Sequence, residues 1–336
     1  MDSHRKHFFI IGVLRVAAGL VVCICSDPAA QAGTIVFGSG ANAFSMEFVT
    51  IGSPGNAADI SGSPNPAGAV GYGFQIGKYE VSEDMIAKAN ALGGLGITMD
   101  SRGSAKPATS VSWNEAARFV NWLNTSTGGS AAYNFTTTGS NDNISLWTPA
   151  DVLDYDAANP FRSKRALYVL PSADEWYKAA YYDPVSDSWN DYPTGSNTAP
   201  AQTLSGTGSG DAVYGWTPIQ DPADITLAGG LSPFGTMGQG GNVAEWEETA
   251  FDLTNSSASE ARGVRGGHWK NNSGLLSSSL RLSVSSPATS NIEVGFRVAL
   301  LSNAAAVPEP GQAGSVLILL MAYLRYGLSK MPRSLR

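Results

Sequence analysis

The sequence predicts a loop-rich fold in which a few short helices and strands are joined by long irregular segments. Its 336 residues include 38 glycines and 18 prolines, and both residue types interrupt regular structure. Apolar residues make up 43% of the chain and charged residues 15%. The chain can therefore bury a sizeable core and is too apolar to be disordered throughout. These observations exclude a long helical array.

The strand-like stretches begin close to residue 34. Residues 34–37 and 46–51 are rich in apolar and β-branched side chains, which favour strands. Residues 59–71 contain mostly small and turn-forming residues and predict a loop. Residues 72–81 show the alternation that is typical of a half-buried strand.

Three short helices are predicted from their capping residues. Ser82, followed by two acidic residues, predicts the start of a short helix to about Leu92, which Gly93 and Gly94 end. The other two begin with capping boxes, in which a serine and a glutamate three residues later satisfy each other's free backbone donors. These boxes are Ser112 with Glu115, and Ser172 with Glu175. Because the glutamates have this local use, we interpret them as caps rather than catalytic acids.

The first 32 residues have the pattern of a secretory signal: a basic start, an apolar stretch and a small-x-small cleavage site. We predict cleavage before Gly33 and export of the mature chain. The alternative is an N-terminal membrane anchor. Arg15 argues against it, because that charge shortens the apolar run below the about 20 residues that a membrane span needs.

Both cysteines of the chain, Cys23 and Cys25, lie in this signal segment. After cleavage the mature chain has no thiol, which excludes disulfides, thiolate metal sites and cysteine nucleophiles. The net charge is −7, and the middle of the chain is more acidic than this value because basic residues concentrate at both ends. Nucleic-acid binding needs a basic face that displaces counterions. We therefore expect no nucleic-acid partner.

The C-terminal segment reads Val307-Pro308-Glu309-Pro310, then a short apolar run, then a basic end. This order resembles the PEP-CTERM sorting signal of exported proteins from Gram-negative-type bacteria. The resemblance implies recognition by an exosortase-type processing enzyme, with transient membrane association through the tail. An ordinary C-terminal membrane helix is the alternative, although the run is short for a span.

The body of the chain resembles the formylglycine-generating enzyme domain, also called the sulfatase-modifying-factor domain, from about Phe74 to Leu300. The matching motifs, in family order, are Glu80-Val81-Ser82, residues 107–123 around Val111-Ser112-Trp113, Leu170-Pro171-Ser172 with Glu175-Trp176, the run from Gly241 to Trp246, Arg265-Gly266-Gly267, and Gly295-Phe296-Arg297. The resemblance implies an α+β fold: a single loop-rich domain related to the C-type lectin fold.

The resemblance also implies where a redox metal would bind. In the family's oxidases two cysteines after the Arg-Gly-Gly motif bind copper, and the matching positions here are Asn271 and Leu276. Neither supplies a thiolate, so the soft-ligand copper site is missing. The family's iron-dependent enzymes use clustered histidines, whereas the histidines here are His4, His7 and His268, two of them in the signal segment. We expect neither copper nor iron.

A calcium site is the remaining metal expectation from the resemblance. Carried over position by position, Glu245 would supply a carboxylate, Gly241 and Val243 backbone carbonyls, and Gly238 stands where the family usually has asparagine. The alternative is that Glu245 pairs with an arginine such as Arg265. Glu247 and Glu248 follow closely, and we interpret this acidic run as a solvated or metal-binding edge rather than a pair of glycosidase acids.

Two hypotheses for function follow. The first is an exported, non-catalytic binding or structural module of the cell envelope or extracellular matrix, with extracellular polysaccharide or protein as its partner. Its best candidates for an exposed stacking surface are Trp147, Trp189 and Trp216, which lie in loop-like sequence. The second is a formylglycine-generating-type oxidase or another metal-dependent enzyme of the same superfamily.

The sequence predicts four segments: a signal peptide (1–32), an N-terminal strand and loop segment (33–71), the main domain (72–302) and the sorting tail (303–336).

Overall fold

The computed structural model describes residues 33–136, 144–215, 221–284 and 286–301. The predicted signal segment, Trp216 and the sorting motif Val307-Pro308-Glu309-Pro310 lie outside the described residues. The described residues form three helices, α1 (Glu83–Gly93), α2 (Trp113–Ser126) and α3 (Ala173–Tyr181). They also form fifteen strands: β1 (Gly33–Phe37), β2 (Phe44–Ile51), β3 (Phe74–Gly77), β4 (Asn134–Phe135), β5 (Ile144–Ser145), β6 (Tyr168–Val169), β7 (Tyr182–Asp183), β8 (Ser188–Trp189), β9 (Ala201–Gln202), β10 (Asp211–Ala212), β11 (Ala244–Ala250), β12 (Arg262–Arg265), β13 (Leu282–Val284), β14 (Val294–Gly295) and β15 (Ala299–Leu301).

The helix predictions are confirmed. The Ser82 hydroxyl accepts a hydrogen bond from the backbone N–H of Met85 at the start of α1, and Gly94 ends that helix in the left-handed conformation. Both capping boxes are present, at the starts of α2 and α3. The apolar face of α2 is fully buried in the main core; its residues are Ala116, Phe119, Val120 and Leu123.

The larger sheet has five strands in the order β1-β2-β3-β15-β6, with every neighbouring pair antiparallel. Strands β1 and β2 are therefore integral to the same sheet as β3, although they come from the N-terminal segment 33–71. The last strand, β15, lies between β3 and β6. This sheet brings the two ends of the domain together.

Strand β3 is shorter than the predicted strand over residues 72–81. The strand ends at Gly77, although the Lys78 N–H still donates to the carbonyl oxygen of Glu47 on β2. The carbonyl oxygens of Gly77 and Lys78 accept hydrogen bonds from the Arg297 side chain. Residues 78–81 instead lead into α1 and place Glu80 in the interior, where it is 1% exposed.

The second sheet has four strands in the order β13-β12-β11-β14. Strand β11 is an inner strand, antiparallel to β12 and parallel to β14. All of its residues except Thr249 are buried. Among the described residues, no helix is both long and apolar enough to cross a membrane.

Candidate functional site

The most unusual feature of the interior is the acidic strand β11. The carboxylates of Glu245, Glu247 and Glu248 are fully buried on this one strand. The expectation that they form a solvated edge is therefore wrong. Burial of an ionised carboxylate is costly unless the charge is paired and hydrogen-bonded, and each of the three has an arginine partner.

Glu245 forms a two-pronged ion pair with Arg297. Arg297 donates from Nε to Oε2 at 2.6 Å and from Nη2 to Oε1 at 2.5 Å, and both side chains are fully buried. The indole Nε1 of Trp176 on α3 donates to Oε2 at 2.7 Å. This geometry joins β11, α3 and the segment before β15 at one carboxylate.

Arg265 was the arginine suggested by sequence for Glu245, and that assignment is wrong. Arg265 lies opposite Glu245 in the β11–β12 register, but its Nε donates to Glu247 Oε1 at 2.5 Å. A long side chain in a sheet reaches diagonal neighbours as well as the residue opposite. Arg281 completes the group by donating to the other oxygen of Glu247 at 2.7 Å.

Glu248 is held by a different arginine. Arg162 donates to Glu248 Oε2 at 2.8 Å and makes a two-pronged pair with Glu175, the capping residue of α3. The Tyr133 hydroxyl and the Asn159 side-chain amide also donate to Glu248. Glu175 therefore both caps its helix and carries part of a buried ion network, which the capping-box motif alone could not reveal.

Glu80 is a buried carboxylate with an amide partner rather than a cationic one. The Asn242 side-chain nitrogen lies 2.9 and 3.1 Å from its two oxygens. Burial, together with the neighbouring Glu245 carboxylate, raises the pKa of Glu80 to about 8. At neutral pH Glu80 is therefore mainly protonated.

Gly238 makes room for this carboxyl group. A Cβ built on Gly238 would lie 2.8 Å from Glu80 Oε1, and the φ angle of +80° also favours glycine. The space that a side chain at residue 238 would fill is thus taken by Glu80.

The four positions that the resemblance assigned to calcium do not fit that ion. Calcium takes six to eight oxygen ligands. Both oxygens of Glu245 already accept hydrogen bonds from Arg297, Oε2 also accepts one from Trp176, and Gly238 has no side-chain oxygen. Gly241 and Val243 would add only two backbone carbonyl oxygens, which cannot by themselves complete a calcium coordination sphere. No cluster of three His, Cys, Asp or Glu side chains suited to a metal occurs in the described parts of the chain.

The positions matched to the copper cysteines come together above Gly267. A Cβ built on Gly267 would lie 3.2 Å from Asn271 Oδ1 and 3.1 Å from Leu276 Cδ1. Asn271 Oδ1 accepts a hydrogen bond from the backbone N–H of His268, and Leu276 packs in a small apolar cluster with Tyr214. The site thus presents an amide oxygen and a methyl group, neither of which is a soft metal ligand.

His268 lies beside this site, and no carboxylate within the described part of the chain forms an ion pair with it. Its Nδ1 accepts from the backbone N–H of Lys270 at 3.4 Å, and its ring packs edge-on against Trp269. Burial lowers the pKa of His268. The Lys270 ammonium pairs instead with Glu293 at 3.0 Å. These contacts hold His268 as a neutral loop residue.

The tryptophans expected to form a stacking surface are half-buried where the structure describes them. Trp147 donates from its indole nitrogen to the carbonyl oxygen of Ala132 at 2.9 Å. Trp189 packs against Tyr177 and Tyr182, with ring centroids 5.2 and 4.9 Å away. Each therefore has a local packing role, and only part of each ring faces solvent.

Sequence reasoning missed the buried arginines, which hold the acidic strand in place. Arg297 lies in the Gly-Phe-Arg motif and Arg265 in the Arg-Gly-Gly motif. The order of these motifs indicates the family, but it does not indicate that the arginine side chains are buried. The number of acidic residues was a usable signal. Three glutamates within four residues need nearby cationic partners if their strand is buried. The pairing itself depends on contacts between residues far apart in sequence.

Comparison with known proteins agrees with the motif analysis. A family model described as a sulfatase-modifying factor enzyme 1-like domain matches residues 44–301. Among solved structures, Treponema denticola variable protein 1 is 19% identical with a TM-score of 0.52, and the match covers 81% of this chain and 99% of that one. The crystal structure of CarF is 18% identical with a TM-score of 0.53, covering 77% and 99%. At these identities the likeness shows the fold alone. None of the curated proteins compared with this chain matches it.

Proposed function

The chain belongs to the sulfatase-modifying factor enzyme 1-like domain family, as its motifs predicted, and on this premise we propose that it is a non-catalytic binding or structural module of that family. The family match begins at residue 44 and so includes β2 as well as the motif-bearing region. The module is exported to the periplasm, the outer surface or the extracellular matrix. It binds an extracellular polysaccharide or protein rather than turning over a substrate.

The observation that carries this proposal is the pair Asn271 and Leu276. Their side chains meet over Gly267, where the resemblance requires two thiolates, and they supply an amide oxygen and a methyl group. The chain has no cysteine after Cys25 and no histidine in its body except His268. Neither a thiolate copper site nor a histidine iron site can be assembled from these residues.

Export rests on the two terminal sequences. The signal pattern before Gly33 and the motif Val307-Pro308-Glu309-Pro310 are the supporting observations. We propose that an exosortase-type enzyme processes the tail after transient membrane association. Intact mass measurement of the protein recovered outside the cytoplasm tests this: a mass that includes residues 1–32 refutes the signal cleavage.

The catalytic question is tested by metal content and oxygen uptake. The purified protein is expected to contain no stoichiometric copper or iron and to consume no oxygen with a cysteine-containing sulfatase-motif peptide. The matched control is the double variant Asn271→Cys/Leu276→Cys under reducing conditions, which is expected to bind copper because it restores two converging thiolates. Stoichiometric copper or iron in the unmodified protein, with peptide turnover, would refute the proposal in favour of a metal-dependent oxidase.

A further inference from the structure

A cavity of about 160 Å³ lies where the hairpin β1–β2 meets the segment that follows β3. Its lining comes from five separate parts of the chain: β1, β2, residues 77–80, α1 and the short 3-10 turn Ile225–Leu227. None of the positions assigned to copper or calcium by the resemblance lines it. The volume is smaller than that of clefts that enclose drug-sized ligands, and it suits a ligand the size of one substituted six-membered ring.

Three hydroxyl side chains line this cavity: Thr34, Ser45 and Thr226. All three are exposed, and none of them hydrogen-bonds to another side chain or backbone group in the described parts of the chain. Thr34 and Ser45 belong to the hairpin, whereas Thr226 belongs to the 3-10 turn, so the hydroxyls lie on two separate walls. A hydroxyl can both donate and accept a hydrogen bond, and each is therefore available to a polar ligand.

Glu47 places a carboxylate among these hydroxyls. It lies opposite Thr34 in the β1–β2 register and two residues from Ser45, so the three side chains share one face of the hairpin. Lys78 Nζ donates to Glu47 Oε2 at 3.2 Å. Within the described residues no group donates a hydrogen bond to the other oxygen, Oε1, which leaves one strong acceptor at the cavity.

Lys78 and Tyr79 complete the polar wall. The Lys78 ammonium lies 5.1 Å from the centroid of the Tyr79 ring. A hydrogen bond to Tyr79 raises the pKa of Lys78 against the opposing effect of burial, and the hydrogen bond to Glu47 adds to the rise. Lys78 therefore stays charged, and its contacts with Glu47 and Tyr79 hold both side chains beside the cavity.

The charges around the cavity cancel. Glu47 is paired with Lys78, and Glu80, which also lines the cavity, is mainly protonated at neutral pH and directs its oxygens to Asn242. Among the described lining residues there is no unpaired cation that would hold a carboxylate, sulfate or phosphate. The remaining lining is apolar or aromatic and includes Met85, Ile225 and Tyr79. An uncharged ring that carries several hydroxyls matches this combination of hydrogen-bonding and apolar groups.

We propose that this cavity binds one neutral sugar residue of an extracellular polysaccharide. The sugar hydroxyls exchange hydrogen bonds with Thr34, Ser45, Thr226 and Glu47 Oε1, and the C–H surface of the ring packs against Tyr79. This inference rests on the proposed function, which names a polysaccharide as one of two classes of partner. It adds the place where the sugar binds and a preference for uncharged sugars.

NMR titration of the purified protein tests the proposal. The probes are the methyl glycosides of glucose, galactose and mannose, with the methyl glycoside of glucuronic acid as the charged counterpart. We expect at least one neutral glycoside to bind with a Kd of about 1 mM, which is typical of so small a ligand, and the glucuronide to bind about tenfold more weakly. Binding of no neutral glycoside, or a preference of the unmodified protein for the glucuronide, would overturn the proposal.

Two hydroxyl variants locate the site. Thr34→Val and Thr226→Val remove one hydrogen-bonding group from each wall with little change in shape, and each is expected to weaken binding about fivefold. Both residues are exposed, so the Tm should not change. The matched control is Thr289→Val, an exposed threonine that does not line the cavity, and it should bind as the unmodified protein does. If the Thr34 and Thr226 variants also keep full affinity, the sugar binds elsewhere and the proposal is overturned.

Glu47→Ala tests the charge argument separately from folding. Without its carboxylate partner, the Lys78 ammonium is free to pair with an acidic sugar, so we expect weaker binding of the neutral glycoside and stronger binding of the glucuronide than in the unmodified protein. An unchanged preference would overturn the assignment of Glu47 and Lys78 to the site.

Failure of this proposal can be told apart from failure of the proposed function. If the unmodified protein binds a polysaccharide but the cavity variants bind it equally well, only the assignment of the cavity is wrong. If it binds neither polysaccharide nor glycoside, the cavity proposal fails and a protein remains the partner class. The non-catalytic role is decided independently, by metal content and oxygen uptake.

Discussion

Replacing Glu80 by glutamine is expected to remove a pH dependence from the stability of the fold. Glu80 is 1% exposed, and Asn242 is the only side chain among the described residues that donates to its two oxygens. Burial and the nearby Glu245 carboxylate raise its pKa from 4.5 to about 8. The folded protein therefore keeps a proton on this carboxyl group at pH values where the unfolded chain has lost it.

The sign and size of the effect follow from proton linkage. Below pH 4.5 Glu80 is protonated in both the folded and the unfolded state, so it adds nothing to the pH dependence of the free energy of unfolding. Between pH 4.5 and about 8 only the folded state holds it, so the free energy of unfolding falls as the pH rises. Each pKa unit corresponds to about 1.4 kcal/mol, so the full loss above pH 8 is at most about 5 kcal/mol. Glutamine imitates the protonated acid at every pH.

Urea denaturation of the unmodified protein and Glu80→Gln at pH 5, 7 and 9 measures this difference. We expect the two proteins to have similar free energies of unfolding at pH 5, and the variant to be more stable by a few kcal/mol at pH 9. The control is Glu260→Gln, a half-exposed glutamate, which is expected to follow the unmodified protein at all three pH values. If the free energies for Glu80→Gln stay parallel to those of the unmodified protein, Glu80 is not a protonated buried acid and the reasoning fails.

Three substitutions test other parts of the interior by chemical denaturation. Gly238→Asn is expected to destabilise the fold by about 2 to 4 kcal/mol, because its Cβ would lie 2.8 Å from Glu80 Oε1. Adding Glu80→Ala should recover part of this loss. If the effects of the two substitutions on the free energy of unfolding simply add, the two side chains do not clash. Arg162→Met leaves the buried carboxylates of Glu175 and Glu248 without their shared arginine, and the free energy of unfolding is expected to fall by about 3 to 5 kcal/mol. A fall below about 1 kcal/mol would mean that this ion network does not stabilise the fold. Ser172→Ala removes one half of a capping box and should cost about 1 kcal/mol, whereas an unchanged midpoint would show that the backbone donors are satisfied in another way.

The parts of the fold that could be predicted from sequence are those with a local cause. Ser112 and Glu115 satisfy each other within one turn, so the start of α2 is encoded in four residues. Gly94 ends α1 in the left-handed conformation, which glycine adopts without steric cost. Such signals need no knowledge of the rest of the chain.

The pairings in the interior have no local cause. Glu245 and Arg297 are separated by 52 residues, and their contact exists because β14, which precedes Arg297, runs parallel to β11. Strand register alone would still favour Arg265, which lies opposite Glu245 but donates to Glu247; the pairing therefore depends on side-chain directions that the sequence pattern does not define. The role of Gly238 likewise became visible only beside Glu80, which comes from a segment far earlier in the chain.

The central position of β15 has a consequence for the order in which this protein can assemble. Synthesis proceeds from the N-terminus, so β3 and β6 are both made before β15, the strand that joins them. Until residues 299–301 emerge, β3 and β6 have no shared neighbour, and Arg297 cannot reach Glu245. A ribosome that stalls before this point, or a protease that cuts there, leaves an open sheet with an unpaired inner edge. The five-stranded sheet can therefore be completed only after its last strand in sequence has been synthesised.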